Sequence, residues 1–152
     1  MPALVLDDGF VLAETIAICR YFEELHPEPP LFGTDALSRA TIEMWQRRIE
    51  FGLLGAVAAV FRHLHPAMAA MEVPQVAAWG EANKERVTLF LSILDRQLSC
   101  HEFVCGDRFT VADITGLIGI DFMKPAKLSV PEEFAHLRRW HAAVSARPSA
   151  SA

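Results

Sequence analysis

Cysteine is scarce in this chain, clustered positive charge is absent, and no apolar run is long. The three cysteines, Cys19, Cys100 and Cys105, are an odd number with no paired ligand spacing, and the four residues between Cys100 and Cys105 suit no zinc knuckle. Three reduced thiols are the expectation, with a Cys100–Cys105 loop disulfide as the alternative. Lys and Arg number 14 against 19 Asp and Glu, for a formal charge of −5 with the six His neutral. The densest basic pairs, Arg47–Arg48, Lys84 with Arg86, and Arg138–Arg139, are scattered, so the footprint of a nucleic-acid binder is missing. No stretch approaches the roughly 20 apolar residues needed to cross a bilayer. The start has no basic segment ahead of an apolar core, as a secretory signal would have. The expected setting is cytoplasmic, with no membrane and no nucleic acid as partners. His101, His136 and His141 show no ligand spacing, and no metal site is expected.

What is present is core-forming material. Hydrophobic residues make up 52% of 152 residues, which excludes a disordered chain. Strand signals occur only at the front. Residues 3–6 (ALVL) and 10–12 (FVL) flank Asp7-Asp8-Gly9, where Gly tolerates positive φ, and this predicts a hairpin. Two strands alone are marginal in water and call for more sheet or a partner. A helix follows from Glu14 to Leu25, broken by His26-Pro27-Glu28-Pro29-Pro30. Residues 27–34 read as a linker.

Beyond the linker the chain is helical. Asp35 is a candidate N-cap for a helix reaching Leu64. Ile42, Trp45, Ile49, Leu53, Ala56, Val60 and Leu64 recur at three and four spacing as one buried stripe. Small residues (Gly52, Gly55, Ala56, Ala58, Ala59) leave room for a close helix or a ligand. A second helix is expected from Pro74 to Leu98, with Val76, Trp79, Asn83, Val87, Phe90, Leu91, Leu94 and Leu98 inward. Thr110-Val111-Ala112-Asp113 reads as a capping box, with Phe109 and Ile114 as its hydrophobic staple. The helix it starts, 111–123, is apolar nearly all round and is expected at the centre of a bundle. A last helix is expected from Pro131, with Phe134, Leu137, Trp140, His141 and Val144 inward. Residues 147–152 read as a frayed tail.

Three pieces then coincide in order: MPALVLDDG with Glu14-Thr15 and Ala17-Ile18 after it, the linker ending Pro30-Leu31-Phe32-Gly33, and the box Phe109-Thr110-Val111-Ala112-Asp113-Ile114. Together they resemble the cytosolic glutathione transferase family, along essentially the whole chain. The resemblance implies a mainly α fold: a partial thioredoxin-like β-β-α unit over 1–26, a linker over 27–34, and an all-helical C-terminal domain over 35–152. It implies glutathione as substrate, conjugated through its thiol to a hydrophobic electrophile, and a homodimer. Pro2 stands where the family has a cis proline, and Met1 where a backbone group meets the cysteinyl part of glutathione. Glu14-Thr15 corresponds to the acidic or amide residue and serine that hold the γ-glutamyl group. Thr15 keeps the hydroxyl. Read from spacing alone, Glu14-Thr15 is simply a helix start.

The resemblance also implies an incomplete front. Nothing corresponds to the family's first strand, first helix and second strand, which carry the Tyr, Ser or Cys that activates the thiol. Met1 reads as an internal residue of a longer family chain, and conjugation is expected to be impaired in the chain as it stands. Tyr21 and Cys19 lie on the wrong helix to substitute. Some fungal and bacterial branches lack that group, and the chain looks like one of them. By analogy the helix after the linker lines the electrophile pocket, giving Trp45, Arg48 and Phe51 as pocket residues. His63 and His65 are candidates to assist thiol deprotonation. The alternatives are ordinary helix-end histidines and, for Arg48, a surface pair with Glu43 or Glu50. Two other functions remain open: a non-catalytic helical module for dimerisation or docking, and a protein that binds glutathione or a hydrophobic ligand without turnover.

Overall fold

The computed structural model describes residues 2–150. Met1, and with it the Met1–Pro2 peptide bond, lies outside the described residues. Strands β1 (Ala3–Val5) and β2 (Val11–Ala13) pair antiparallel, with Ala3 opposite Ala13, Leu4 opposite Leu12 and Val5 opposite Val11. The turn closes through Gly9 N–H to the Leu6 carbonyl at 2.9 Å, with Gly9 at φ +85°, as the Asp-Gly signal requires. Asp8 Oδ1 accepts the Phe10 N–H at 2.9 Å. Leu4 and Leu12 are half-buried, and Val5 and Val11 are exposed. Helix α1 (Thr15–Leu25) follows directly.

The rest is an α-helical bundle. Helix α2 (Ala36–Ile49) starts at Asp35, whose Oδ1 accepts the Leu37 and Ser38 N–H groups at 2.9 and 3.0 Å. These bonds, that of Ser38 first, hold the Asp35 carboxyl below its ordinary value. The expected 35–64 helix is continuous but not uniform. Residues Glu50–Leu54 form a π segment before α3 (Gly55–Leu64). Gly52 in this segment lies against the Phe90 ring, where an added Cβ would come within 2.5 Å. The buried stripe is as expected from Ile42 to Val60, with Leu64 half-buried.

Helix α4 spans Ala77–Leu98 rather than starting at Pro74, because residues 75 and 76 are held by the end of α3. Gln75 Nε2 donates to the Arg62 and His65 carbonyls at 2.7 and 3.0 Å. Trp79 is not on the inward face; it is 47% exposed with the Arg86 guanidinium 5.8 Å from its ring. Gly80 takes the inward place, where Leu64 leaves no room for a Cβ. Helix α5 (Val111–Asp121) also turns differently from expectation. Its small residues Ala112, Gly116 and Gly119 face neighbouring helices, while Ile118 is 53% exposed. The Trp140 ring and Leu53 sit where larger residues at 116 and 119 would need to be.

Helix α6 is Ala135–Ser145, not a helix from Pro131. Residues 131–134 form a turn, with Phe134 N–H on the Pro131 carbonyl at 3.3 Å. The cap comes from far along the chain: Asp95 Oδ1 on α4 accepts the Leu137 N–H at 2.8 Å. Arg139 Nη2 returns the tie, donating to the Leu98 and His101 carbonyls at 2.9 Å each.

One carboxylate joins these parts. Asp113 is fully buried, and its Oδ2 accepts the Thr110 N–H at 2.9 Å and the Thr110 hydroxyl at 3.1 Å. Its Oδ1 accepts the Val104 N–H at 2.9 Å and the Trp140 Nε1–H at 2.8 Å. Burial pushes the Asp113 carboxyl above its usual value, while the donors, Val104 first, pull it back. Phe109 packs edge-to-face on Phe103 at 5.9 Å with the Arg147 guanidinium 3.9 Å from its ring. Its expected staple partner Ile114 is half-buried and joins neither apolar cluster. All three cysteines are free. Burial pushes the Cys105 thiol up to about 12, with the Asp113 charge adding to the effect and a bond to Thr110 opposing it.

Two outcomes follow. Asp113→Ala leaves three buried N–H donors without an acceptor, and urea melts are expected to show a loss of roughly 3–5 kcal/mol, against about 1 kcal/mol for Thr110→Val. Titration of the native protein with a thiol reagent at pH 8 is expected to modify the exposed Cys19 and Cys100 and to spare Cys105 until urea is added.

Candidate functional site

The head of α1 is where the chain offers unused donors. No side chain caps this helix. Among the described residues, the N–H groups of Thr15, Ile16 and Ala17 have no hydrogen-bond partner, and the positive end of the helix dipole lies behind them. Glu14, immediately before it, has φ 71° and ψ 117°. A glutamate at positive φ with extended ψ is held in a sparsely populated region, at a cost of order 1–3 kcal/mol. Glu14 and Thr15 are both exposed, and among the described residues no hydrogen bond or ion pair involves the Glu14 side chain. A strained acidic residue, a hydroxyl and free N–H groups thus share one accessible point. This arrangement suits a ligand carrying both a carboxylate and an amino group. Pro2, the other described residue expected here, is exposed at the start of β1.

The remaining sequence candidates do not gather at this point. Trp45 is buried in the main core, its ring 5.0 Å from the Arg48 guanidinium. Phe51 is 66% exposed on the π segment, with the Arg47 guanidinium 5.8 Å from its ring. Trp45 is thus part of the core and Phe51 of the surface. A cavity of about 620 Å³ beside α6, lined in part by Ile120, Arg138 and His141, contains none of them. Neither does one of about 100 Å³ at the end of α3, which includes His65. The surface pairs considered for Arg48 belong to Arg47, which meets Glu43 at 3.0 Å and Glu50 at 2.8 Å.

His63 and His65 sit at the opposite end of the long helix. Glu43, where α1 docks through Arg20, precedes His63 by 20 positions, about 30 Å along a helix. Both rings are already engaged. His63 Nδ1 accepts the Val76 N–H at 3.1 Å, and its Nε2 faces Glu72 at 3.7 Å. His65 Nδ1 accepts the Ala67 N–H at 3.2 Å, and its ring lies 4.9 Å from that of Phe61. These contacts fix the α3–α4 connection and place neither ring near Glu14.

Sequence reading missed how α1 is fastened. Glu23 accepts the Leu31 N–H at 2.8 Å and the Phe32 N–H at 2.9 Å, so the second half of the linker is bound, not loose. Arg20 Nη2 meets Glu43 at 2.7 Å, and its guanidinium lies 4.8 Å from the centre of the Phe32 ring. No local pattern marks a helix carboxylate that reaches eight and nine residues on. Among the described residues, no group of His, Cys, Asp and Glu could hold a metal ion, and no helix is long and apolar enough to cross a membrane.

The family profile described as "Glutathione S-transferase, C-terminal domain" matches residues 55–148. Glutathione S-transferase 2 of Saccharomyces cerevisiae is 36% identical over 150 residues, covering 98% of this chain and 64% of that protein. The crystal structure of Gtt2 from Saccharomyces cerevisiae superposes with a TM-score of 0.94 at 36% identity, over 99% of this chain and 73% of that one. Elongation factor 1-gamma 2 of Oryza sativa subsp. japonica is 29% identical over 142 residues, which is 92% of this chain and 32% of that protein. The chain thus spans less than two thirds of the length of these two curated relatives. The profile covers more than half of the chain, and the chain belongs to the glutathione S-transferase family.

Proposed function

We propose that this chain carries the γ-glutamyl half of a glutathione site and works in conjugating the glutathione thiol to a hydrophobic electrophile. The observation that carries the reading is Glu14, held at positive φ before an uncapped helix with its side chain free. Strain of this kind persists where the surrounding structure imposes it, and it concentrates at ligand-binding points. The free N–H groups of α1 and the Thr15 hydroxyl would hold the γ-glutamyl carboxylate, and Glu14 its ammonium group. Met1 and Pro2 would meet the cysteinyl part. The thiol-activating group is not among the residues assigned here, and His63 and His65 are too distant to supply it.

A second reading is favoured by the likeness to elongation factor 1-gamma 2, in whose name no transferase figures. In that reading the same fold serves as a docking or dimerisation module. Both readings use self-association. Phe51 and Leu89 flank the close Gly52–Phe90 contact and are exposed, and Ile93 lies one turn beyond Leu89. We propose this apolar strip as the surface that pairs two copies of the chain.

Calorimetric titration separates the readings. Glutathione is expected to bind the wild type, and Thr15→Val to weaken it by about tenfold through loss of a charge-assisted hydrogen bond. Glu14→Gly is expected to raise stability by about 1 kcal/mol by relieving the strained φ, and to weaken binding at the same time. Absence of any glutathione binding leaves the docking module as the better reading. In sedimentation velocity, Phe51→Glu with Leu89→Glu is expected to shift a dimer to a monomer; an unchanged sedimentation coefficient would remove this strip from the dimer contact.

A further inference from the structure

Helix α1 reaches the bundle through few side chains. Ile16, Arg20 and Glu23 share one face at i, i+4 and i+7. Ile16 packs on the small cluster of Phe32, Ile42 and Val111. Arg20 lies over the Phe32 ring and meets Glu43. Glu23 is the only one of the three that grips backbone. Its two oxygens accept two successive N–H groups, those of Leu31 and Phe32, and Oε2 also stands 3.2 Å from the Phe32 nitrogen. Two bonds from one planar carboxylate fix an angle as well as a distance.

The residues that Glu23 grips are themselves tied onward. The Leu31 carbonyl accepts the N–H of Val111, the first residue of α5, at 3.2 Å. Val111 follows Thr110, which is locked to Asp113. A short run of hydrogen bonds therefore leads from the Asp113 network, through Leu31 and Phe32, to Glu23. Thr15 stands eight residues before Glu23, about 12 Å along the helix. A tilt of about 10° pivoting at Glu23 would carry Thr15 by about 2 Å, several times the tolerance of a hydrogen bond. Displacements of about 1 Å can cost a hundredfold where reacting groups must be aligned.

We infer that Glu23 is a positioning residue for the glutathione site: through Leu31 and Phe32 it sets the orientation of α1, and so the place of Glu14 and Thr15 relative to the bundle. This rests on the assignment of glutathione to the head of α1. It adds a residue that touches no ligand and lies at the far end of the helix.

The test compares wild type, Glu23→Gln and Arg139→Gln by NMR of the whole chain. The Gln side chain keeps one acceptor and turns a donor toward the second N–H. Arg139, on α6, donates to the Leu98 carbonyl at the end of α4 and to the His101 carbonyl, and bonds to nothing in α1, so its variant lowers stability without altering the strap. Residual dipolar couplings report the orientation of α1 against α4, and glutathione titration reports affinity. Expected for Glu23→Gln is a rotated α1 with its helical amide pattern retained, and glutathione binding weaker by about tenfold. Arg139→Gln is expected to change neither. Couplings in Glu23→Gln that match wild type, or a rotation with unaltered affinity, would overturn the inference. Should wild type fail to bind glutathione, the functional assignment falls, and the couplings alone uphold or overturn the role of Glu23 in orienting α1. Should Glu23→Gln unfold α1, Arg20→Met replaces it: Met keeps the stem over Phe32 and frees Glu43, and a smaller rotation in the same sense is expected, its absence counting against the strap.

Discussion

The fold turns on one buried carboxylate. Asp113 gathers the 99–110 loop through Val104, the start of α5 through Thr110, and α6 through Trp140. Each partner is a donor, and each would be left unpaired in a dry interior without it. The cost of burying a charge and the cost of leaving these donors bare therefore oppose one another. The raised carboxyl shows which way burial alone pulls. Because its pKa is raised in the folded state, ionising Asp113 opposes folding, and its contribution improves as pH falls through that raised value toward the ordinary one near ~4. The role of Asp113 is specificity: one arrangement of three segments satisfies it, and sliding α5 along its neighbours would break its bonds to Val104 and Trp140 together.

Close helix contact depends on the same fixed register. α5 meets its neighbours with Gly116 under the Trp140 ring and Gly119 against Leu53, so the helix sits nearer than bulkier residues allow. Trp140 is used twice. Its ring fills the space above Gly116 and its N–H pairs with Asp113. The polar anchor and the steric fit thus select the same position of α6, and local and long-range preferences agree.

Features built from bonds between near neighbours were legible in the sequence. The Asp8-Gly9 turn, the Asp35 cap and the Thr110–Asp113 box each close within three or four residues, so residue type and spacing announce them. The location of Glu14-Thr15 at a helix start was legible for the same reason. Its strained φ was not, because a glutamate gives no sign of positive φ as glycine does. Nor were partners drawn from afar. The α6 start is set by Asp95, 42 residues before Leu137, and the α4 start by His63. Trp45 and Phe51 read alike as apolar pocket residues, yet one is core and the other surface. Six positions apart on the α2–α3 helix, at 3.6 residues per turn, they lie about 120° from one another and do not share a face.

That same helix separates the two ends of the molecule. At one end Glu43 receives α1, and at the other His63, His65 and Gln75 bind the α3–α4 connection. The two histidines lie at the second end, and Glu14 with its strained φ lies on the unit docked at the first. Chemistry requires geometry first, and the contacts the two histidines make tie the α3–α4 connection together. The head of α1 needs a firm attachment instead, since its donors belong to a short unit with little core of its own. Glu23 and Arg20 provide it through charged contacts, which fix angle better than the small apolar cluster beneath them. The site proposed at the head of α1 would therefore sit on the less massive part of the molecule and take its alignment from the buried carboxylate at the centre of the bundle.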